Sequence, residues 1–146
     1  MERPPTPGTD IVPASSSALG APLSLDGEGA RRLYEAWLAG RNENTRRAYA
    51  TSMVDFATFL SRRVGRTLDG QAAVLELLGA GPGPANLVLL DWRADLLGRG
   101  LASGTIALRI SAVRAAVKMA RTLGMITWSV EIPPVKVQKY RDTAGP

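Results

Sequence analysis

Apolar positions recur at helical spacing along four stretches of the chain. Leu33 and Trp37, flanked by Tyr34 and Leu38, form the apolar stripe of a first predicted helix from Glu28 to Ala39, with Gly40 as its stop. The clearest pattern follows. Tyr49, Met53, Phe56 and Leu60 are spaced by 4, 3 and 4 residues and Phe59 widens their stripe, which predicts a second helix from Glu43 to Arg63. Asn42 suits its N-cap, Glu43 suits the positive end of its dipole, and Gly65 suits its end. Arg47, Thr51, Val54 and Thr58 fall on the side opposite the stripe. A third predicted helix, Ala85 to Arg99, puts Leu87, Leu90, Ala94 and Leu97 on its apolar face and Trp92 on a shoulder, and Gly98 or Gly100 closes it. A fourth starts after Ser103, read as its N-cap, and runs to Leu123 on a stripe of Ile106, Ile110, Val113, Val117 and Ala120, with Gly124 as its stop.

Between the second and third helices the pattern weakens. Ala72 to Leu78 fits a short helix. The run Gly79-Ala80-Gly81-Pro82-Gly83-Pro84 reads as a flexible linker. Its glycines bear a slight likeness to a phosphate loop, but no strand precedes them and prolines interrupt them. Residues 1–25 are rich in Pro, Ser, Gly and Thr, with Arg3 their one basic residue, and read as a disordered arm. Pro133 and Pro134 prevent a further helix, and residues 127–146 read as an extended linker. The alternation between Thr127 and Ile132 is too short to predict a strand. The expected fold is therefore all-α, with four main helices or five, in a helical domain over 26–126.

The length of 146 residues suits one domain, and 45% hydrophobic residues suffice for a core. Only 5% are aromatic, so aliphatic and alanine packing should dominate. The chain contains no cysteine, which excludes disulfides and thiolate zinc sites within it. It contains no histidine either, which removes the commonest general base and metal ligand and any Ser-His-Asp triad. Asp55, Glu76, Asp91 and Asp95 are scattered and read as solvated helix faces, not as a metal site or an acid/base pair. No apolar run approaches the ~20 residues that cross a bilayer, and the N-terminus does not resemble a signal peptide, so a cytoplasmic protein without membrane partners is expected.

Charge changes this picture more. The net charge of +5 suits a polyanionic partner. The excess is local: from Arg99 to Arg141 there are eight basic residues and one acidic residue, Glu131. On the fourth predicted helix Arg114, Lys118 and Arg121 point away from the core stripe. Arg109 sits nearer to it, where it either faces outward or pairs internally. Arg46 and Arg47 lie in the first turns of the second helix. Two helix starts, Asn42 to Arg47 and Ser103 to Arg109, thus combine hydroxyls with cations, the mixture that phosphate binding uses. The same composition also fits ordinary solvated helix ends.

The stretch Asn42-Glu43-Asn44-Thr45-Arg46-Arg47-Ala48-Tyr49, followed by Phe56 and Leu60, resembles the second helix of the core-binding domain in the tyrosine recombinase (phage integrase) family. There the pattern is Ser or Asn, then Thr, then a Tyr further on and a core Phe. Leu97-Gly98-Arg99-Gly100-Leu101-Ala102-Ser103-Gly104-Thr105-Ile106, followed by Arg109, Ile110, Val113 and Arg114, resembles that family's junction between third and fourth helices. The two matches have the family's order and separation and together cover Gly29 to Met125.

The resemblance implies a SAM-like bundle of four or five helices. Such a core-binding domain would form half of a C-shaped clamp around a recombination site, its second and fourth helices facing the major groove and flanking backbone. It implies DNA contacts from Thr45, Arg46 and Arg47 and from Ser103, Thr105 and Arg109. Arg114 and Lys118 are further candidates, with a structural role open for Arg114. The implied partners are double-stranded DNA and other recombinase protomers, with no cofactor, metal or small-molecule substrate. In that family a tyrosine attacks a DNA phosphate from a second domain carrying arginines, a lysine and histidines. This chain is accordingly expected to be a non-enzymatic binding module. Lys139 to Pro146 resembles the interdomain junction, and Tyr140 within it is not expected to be a nucleophile. The chain departs from the family where Trp128-Ser129-Val130-Glu131-Ile132-Pro133 replaces an Asn-Pro, and where the loop from Arg66 to Pro84 is long. Two other readings fit the same helices. One is a stand-alone DNA-binding regulator or decoy, with Gly98 to Ser103 as the turn of a helix-turn-helix. The other is a protein-interaction bundle.

Overall fold

The computed structural model describes residues 19–134. Among them are five α-helices and no strand, in agreement with an all-α SAM-like bundle. We number them α1 (Gly27–Leu38), α2 (Glu43–Val64), α3 (Gly70–Gly79), α4 (Pro82–Gly98) and α5 (Ser103–Thr122).

Most helix ends are encoded locally. The Asp26 carboxylate accepts from the Gly29 amide at 2.9 Å, starting α1. Asn42 Oδ1 accepts from Thr45 N at 2.8 Å, and Gly65 closes α2 with a left-handed φ of 80°. The Asp69 carboxylate caps the Ala72 amide at 2.8 Å, so the short helix foreseen around Ala72 to Leu78 forms and is α3. Each cap satisfies an amide that the helix itself leaves unpaired.

Two starts differ from expectation. The presumed linker Gly79 to Pro84 is largely helical, because α4 already begins at Pro82. Pro82 and Pro84 occupy first-turn positions whose missing N–H has no intrahelical acceptor, so they cost no hydrogen bond there. The Ala85 amide then closes the first turn onto Gly81 O at 3.0 Å. At α5 the N-cap is Ala102, not Ser103, and it makes no side-chain capping bond.

The core stripes of α1, α2 and α5 are as the sequence indicates. Leu33 and Trp37 are buried from α1, and Met53, Phe56 and Leu60 from α2. From α5 come Ile106, Ile110, Val113, Val117 and Ala120, with Ala112 and Ala116 widening the stripe. α4 is the exception. Ala85, Leu89, Trp92 and Leu96 face the core, while Leu87 and Leu97 are exposed. Of the expected stripe, Leu87, Ala94 and Leu97 therefore lie on the wrong side and Leu90 is partly buried against the core, while Trp92 is a core residue instead of a shoulder. All four positions of α4 from Leu87 to Leu90 are apolar, so two registers of apolar stripe compete, and packing selects the one that contains the tryptophan.

Aromatic rings join the layers. Trp37 stacks on Tyr49 (centroids 5.2 Å apart), meets Tyr34 edge-on at 5.1 Å, and donates its indole N–H to Ala112 O at 3.1 Å. Phe56 and Trp92 make an edge-to-face contact at 5.0 Å between α2 and α4. After α5 the chain stays irregular but does not leave the bundle. Met125, Ile126 and Ile132 are buried. Arg93 donates to Pro133 O (2.7 Å), Arg114 to Ile132 O (3.2 Å), and the Glu131 amide to Asn86 Oδ1 (2.7 Å). No helix among the described residues is long and apolar enough to cross a membrane. Residues 1–18, most of the expected arm, and residues 135–146, including Tyr140, lie outside the described residues.

Candidate nucleic-acid interface

The structural centre of the candidate surface is Asp55. It sits at the edge of the α2 core stripe, between Phe56 and the exposed face. Its side chain is only 9% exposed. It accepts from Trp92 Nε1 at 3.0 Å, from Arg99 Nη2 at 2.8 Å to each oxygen, and from Arg109 Nη1. Burial alone would raise the pKa of this carboxyl. The hydrogen bonds from Arg99 and Trp92 and the charges of Arg99 and Arg109 outweigh that, and hold it below the ordinary carboxylate range. The reading of Asp55 as a solvated surface carboxylate is thus wrong. The other three carboxylates in that group lie nearer the surface and are also paired: Glu76 with Arg66, Asp91 with Arg63, and Asp95 with Arg99 and Arg62.

These contacts fix how α2 and α5 lie together. Asp55 meets Arg109 near the start of α5 and Arg99 just before it. Tyr49, earlier on α2, packs on Trp37, whose N–H reaches Ala112, later on α5. The helices therefore run antiparallel, and the start of α5 faces the middle and second half of α2.

The residues singled out from sequence do not form one cluster. Thr45, Arg46 and Arg47 lie ~12 to 15 Å along α2 from Asp55 at 1.5 Å per residue. Arg46 is exposed and has no side-chain partner among the described residues, while Arg47 bonds Asn44 Oδ1 at 2.9 Å and Glu43 at 3.4 Å. Ser103 and Thr105, both half-buried, open α5 at the other end. Arg109 pairs internally, one of the two options the sequence left open. Arg114 is turned to the Ile132 carbonyl and holds the tail. Lys118 is exposed further along α5.

What joins the two ends is the outer stripe of α2. Arg47, Thr51, Val54, Thr58 and Arg62 recur at helical spacing and are all exposed. Its second half forms one wall of a groove lined by Thr51, Val54, Asp55, Thr58, Arg62, Arg99 and Arg109. Three guanidinium groups and two hydroxyls share this groove, and Asp55 orients two of the three. Asp55, Arg62 and Arg99 were not singled out from the sequence, and Thr51 and Thr58 were noted there only as lying opposite the core. The periodicity of α2 marked the stripe. Nothing local marked the Asp55–Arg99 pair, whose partners are 44 residues apart. Among the described residues no group of three or more carboxylates is placed to hold a metal ion.

No family model and no solved structure matches the chain. Two curated proteins do. A tyrosine recombinase of Synechococcus elongatus is 36% identical over 107 residues, which is 72% of this chain and 32% of that protein. A tyrosine recombinase of Synechocystis sp. is 32% identical over 132 residues, 87% of this chain and 40% of that protein. The chain thus spans between a third and two fifths of the length of these curated relatives. The second match, at 87% of this chain, is long enough to take in both recombinase-like segments. The chain, all-helical in its regular structure over the described residues, is a tyrosine recombinase-related domain.

Proposed function

We propose that this domain binds duplex DNA across the α2–α5 face, as the core-binding half of a recombinase clamp, and contributes binding without bond-making. The observation that carries the reading is the Asp55 network. It joins the two segments whose sequences resemble the recombinase motifs, and it holds Arg99 and Arg109 beside the hydroxyl-bearing outer face of α2. Guanidinium groups held in place by a carboxylate lose little side-chain entropy when a phosphate arrives, and threonine hydroxyls supply register along the backbone. Thr45, Arg46, Arg47, Ser103 and Thr105 extend the surface at its two ends, and Lys118 adds a cation on α5. Arg114 serves the fold in this reading. Strand exchange itself belongs to the part of a recombinase chain that this domain does not span, with other recombinase protomers as further partners.

The test is titration of a labelled duplex followed by fluorescence anisotropy at low salt. Binding is expected, and is expected to weaken when Arg47 or Thr105 is replaced by alanine. No binding at low salt would overturn the proposal.

A further inference from the structure

Among the described residues Val54 is the one large apolar side chain that α2 exposes, with 64% of its surface open. A lone exposed apolar residue is ordinary on a protein surface. The setting of this one is not. Leu87 and Leu97 of α4 and Leu108 of α5 are also exposed, but none of them lines the arginine groove, whereas Val54 does, together with Arg62, Arg99 and Arg109. It stands near the middle of the outer stripe of α2, between Arg47 and Arg62, a stretch of about 22 Å at 1.5 Å per residue. Thr51 and Thr58 flank it one turn away on either side, and both are exposed. Thr58 Oγ1 donates to Val54 O at 2.9 Å. Its hydroxyl proton is therefore held within the helix, and beside Val54 it offers a methyl group and an acceptor oxygen, not a donor.

We propose that Val54 is a specificity-determining contact, which lies over the base edges in the major groove and packs on the C5-methyl group of a thymine. The inference rests on the duplex-binding reading of the α2–α5 face and adds to it a base that the face prefers. Phosphates border the major groove on both sides, and the groove, ~12 Å wide, admits an α-helix. Cations at the two ends of the stripe hold the backbone, which leaves the middle of the helix over the bases. Base pairs show donors and acceptors there, and thymine alone adds a methyl group. Valine has neither donor nor acceptor. Against a polar base edge it displaces water and returns no hydrogen bond. Against the methyl group it removes apolar surface from water on both partners.

Deoxyuridine differs from thymidine only in lacking that methyl group, so it isolates the contact. A duplex made only of A·T pairs presents one methyl group per base pair in the major groove, whatever register the protein takes. Its affinity is compared with that of the same duplex carrying deoxyuridine in place of every thymidine. Fluorescence anisotropy is read for wild type, Val54→Ser and Leu97→Ser, each confirmed folded by circular dichroism. Wild type should bind the thymidine duplex about threefold to fivefold more tightly, the value of burying one methyl group. Val54→Ser should bring that ratio to about 1, and Leu97→Ser, on the outside of α4, should leave it at the wild-type value. The contact carries no charge, so the ratio should hold as salt rises while both affinities fall. Binding of both duplexes with a wild-type ratio of about 1 overturns the assignment of Val54 and leaves duplex binding standing. A ratio that survives in Val54→Ser overturns it too, because the methyl group is then read elsewhere. Binding of neither duplex at low salt overturns the duplex reading and this inference with it.

Discussion

Both carboxylate oxygens of Asp55 lie 2.8 Å from one guanidinium nitrogen of Arg99, across the turn that links α4 to α5. The same carboxylate serves Arg109 and the Trp92 indole, so three segments of the bundle meet on one side chain. Asp55→Asn keeps the shape and removes the charge. It should lower unfolding stability by about 1–3 kcal/mol, since partly buried partners are left unsatisfied. Glu35→Gln, on an exposed ion pair of α1, should cost no more than ~0.5 kcal/mol. Urea denaturation of both variants checks the contrast.

The depressed pKa of Asp55 gives a pH dependence with a definite sign. Because the folded value lies below the unfolded one, the carboxylate's contribution is complete above the unfolded pKa of ~4 and is lost as pH falls through the folded value. Wild-type stability should therefore fall more steeply below pH ~4 than that of Asp55→Asn, and the two curves should converge in acid. Parallel acid limbs would remove the network from the account.

The register of α4 can be tested by pairs of substitutions. Leu89→Ala and Leu96→Ala remove fully buried side chains and should each cost about 2–5 kcal/mol. Leu87→Ala and Leu97→Ala, on the outside of the same helix, should change stability by less than ~0.5 kcal/mol. Thermal melts of the four variants distinguish this register from the one that the leucine spacing alone suggests.

That reversal shows what the sequence discloses and what it does not. The stripes of α2 and α5 are legible because each has a polar face that contrasts with it, such as Arg47, Thr51 and Thr58 against Met53, Phe56 and Leu60. α4 lacks that contrast, so its inner and outer faces look alike until Trp92 is seen packed on Phe56. Gly79 to Pro84 looks like a linker because proline usually ends helices, yet first-turn proline starts one. At the candidate surface, the segments at Thr45 to Arg47 and Ser103 to Arg109 stand out through residue type. The groove between them does not, because it depends on the antiparallel packing of two helices and on a pairing between residues far apart in the chain.

Close backbone approach constrains α1 at its first turn. A Cβ on Gly29 would stand 1.9 Å from the Ser24 carbonyl oxygen, which is part of the backbone and cannot swing aside. Gly29→Ala should destabilise the fold by about 1–3 kcal/mol. Gly104, in α5 with open space around it, should tolerate alanine and gain about 0.5 kcal/mol from helix propensity. Chemical denaturation should move the two midpoints in opposite directions.

The proposed DNA surface is tested most directly by the salt dependence of duplex affinity in wild type, Arg47→Ala, Arg62→Ala and Leu97→Ala. If the outer stripe of α2 contacts the phosphate backbone, log K should fall linearly with log salt, and each arginine variant should have a slope shallower by about 1. Leu97→Ala should match the wild type. A duplex affinity that is absent at low salt, or whose slope is unchanged in both arginine variants, would contradict the assignment of the α2–α5 face.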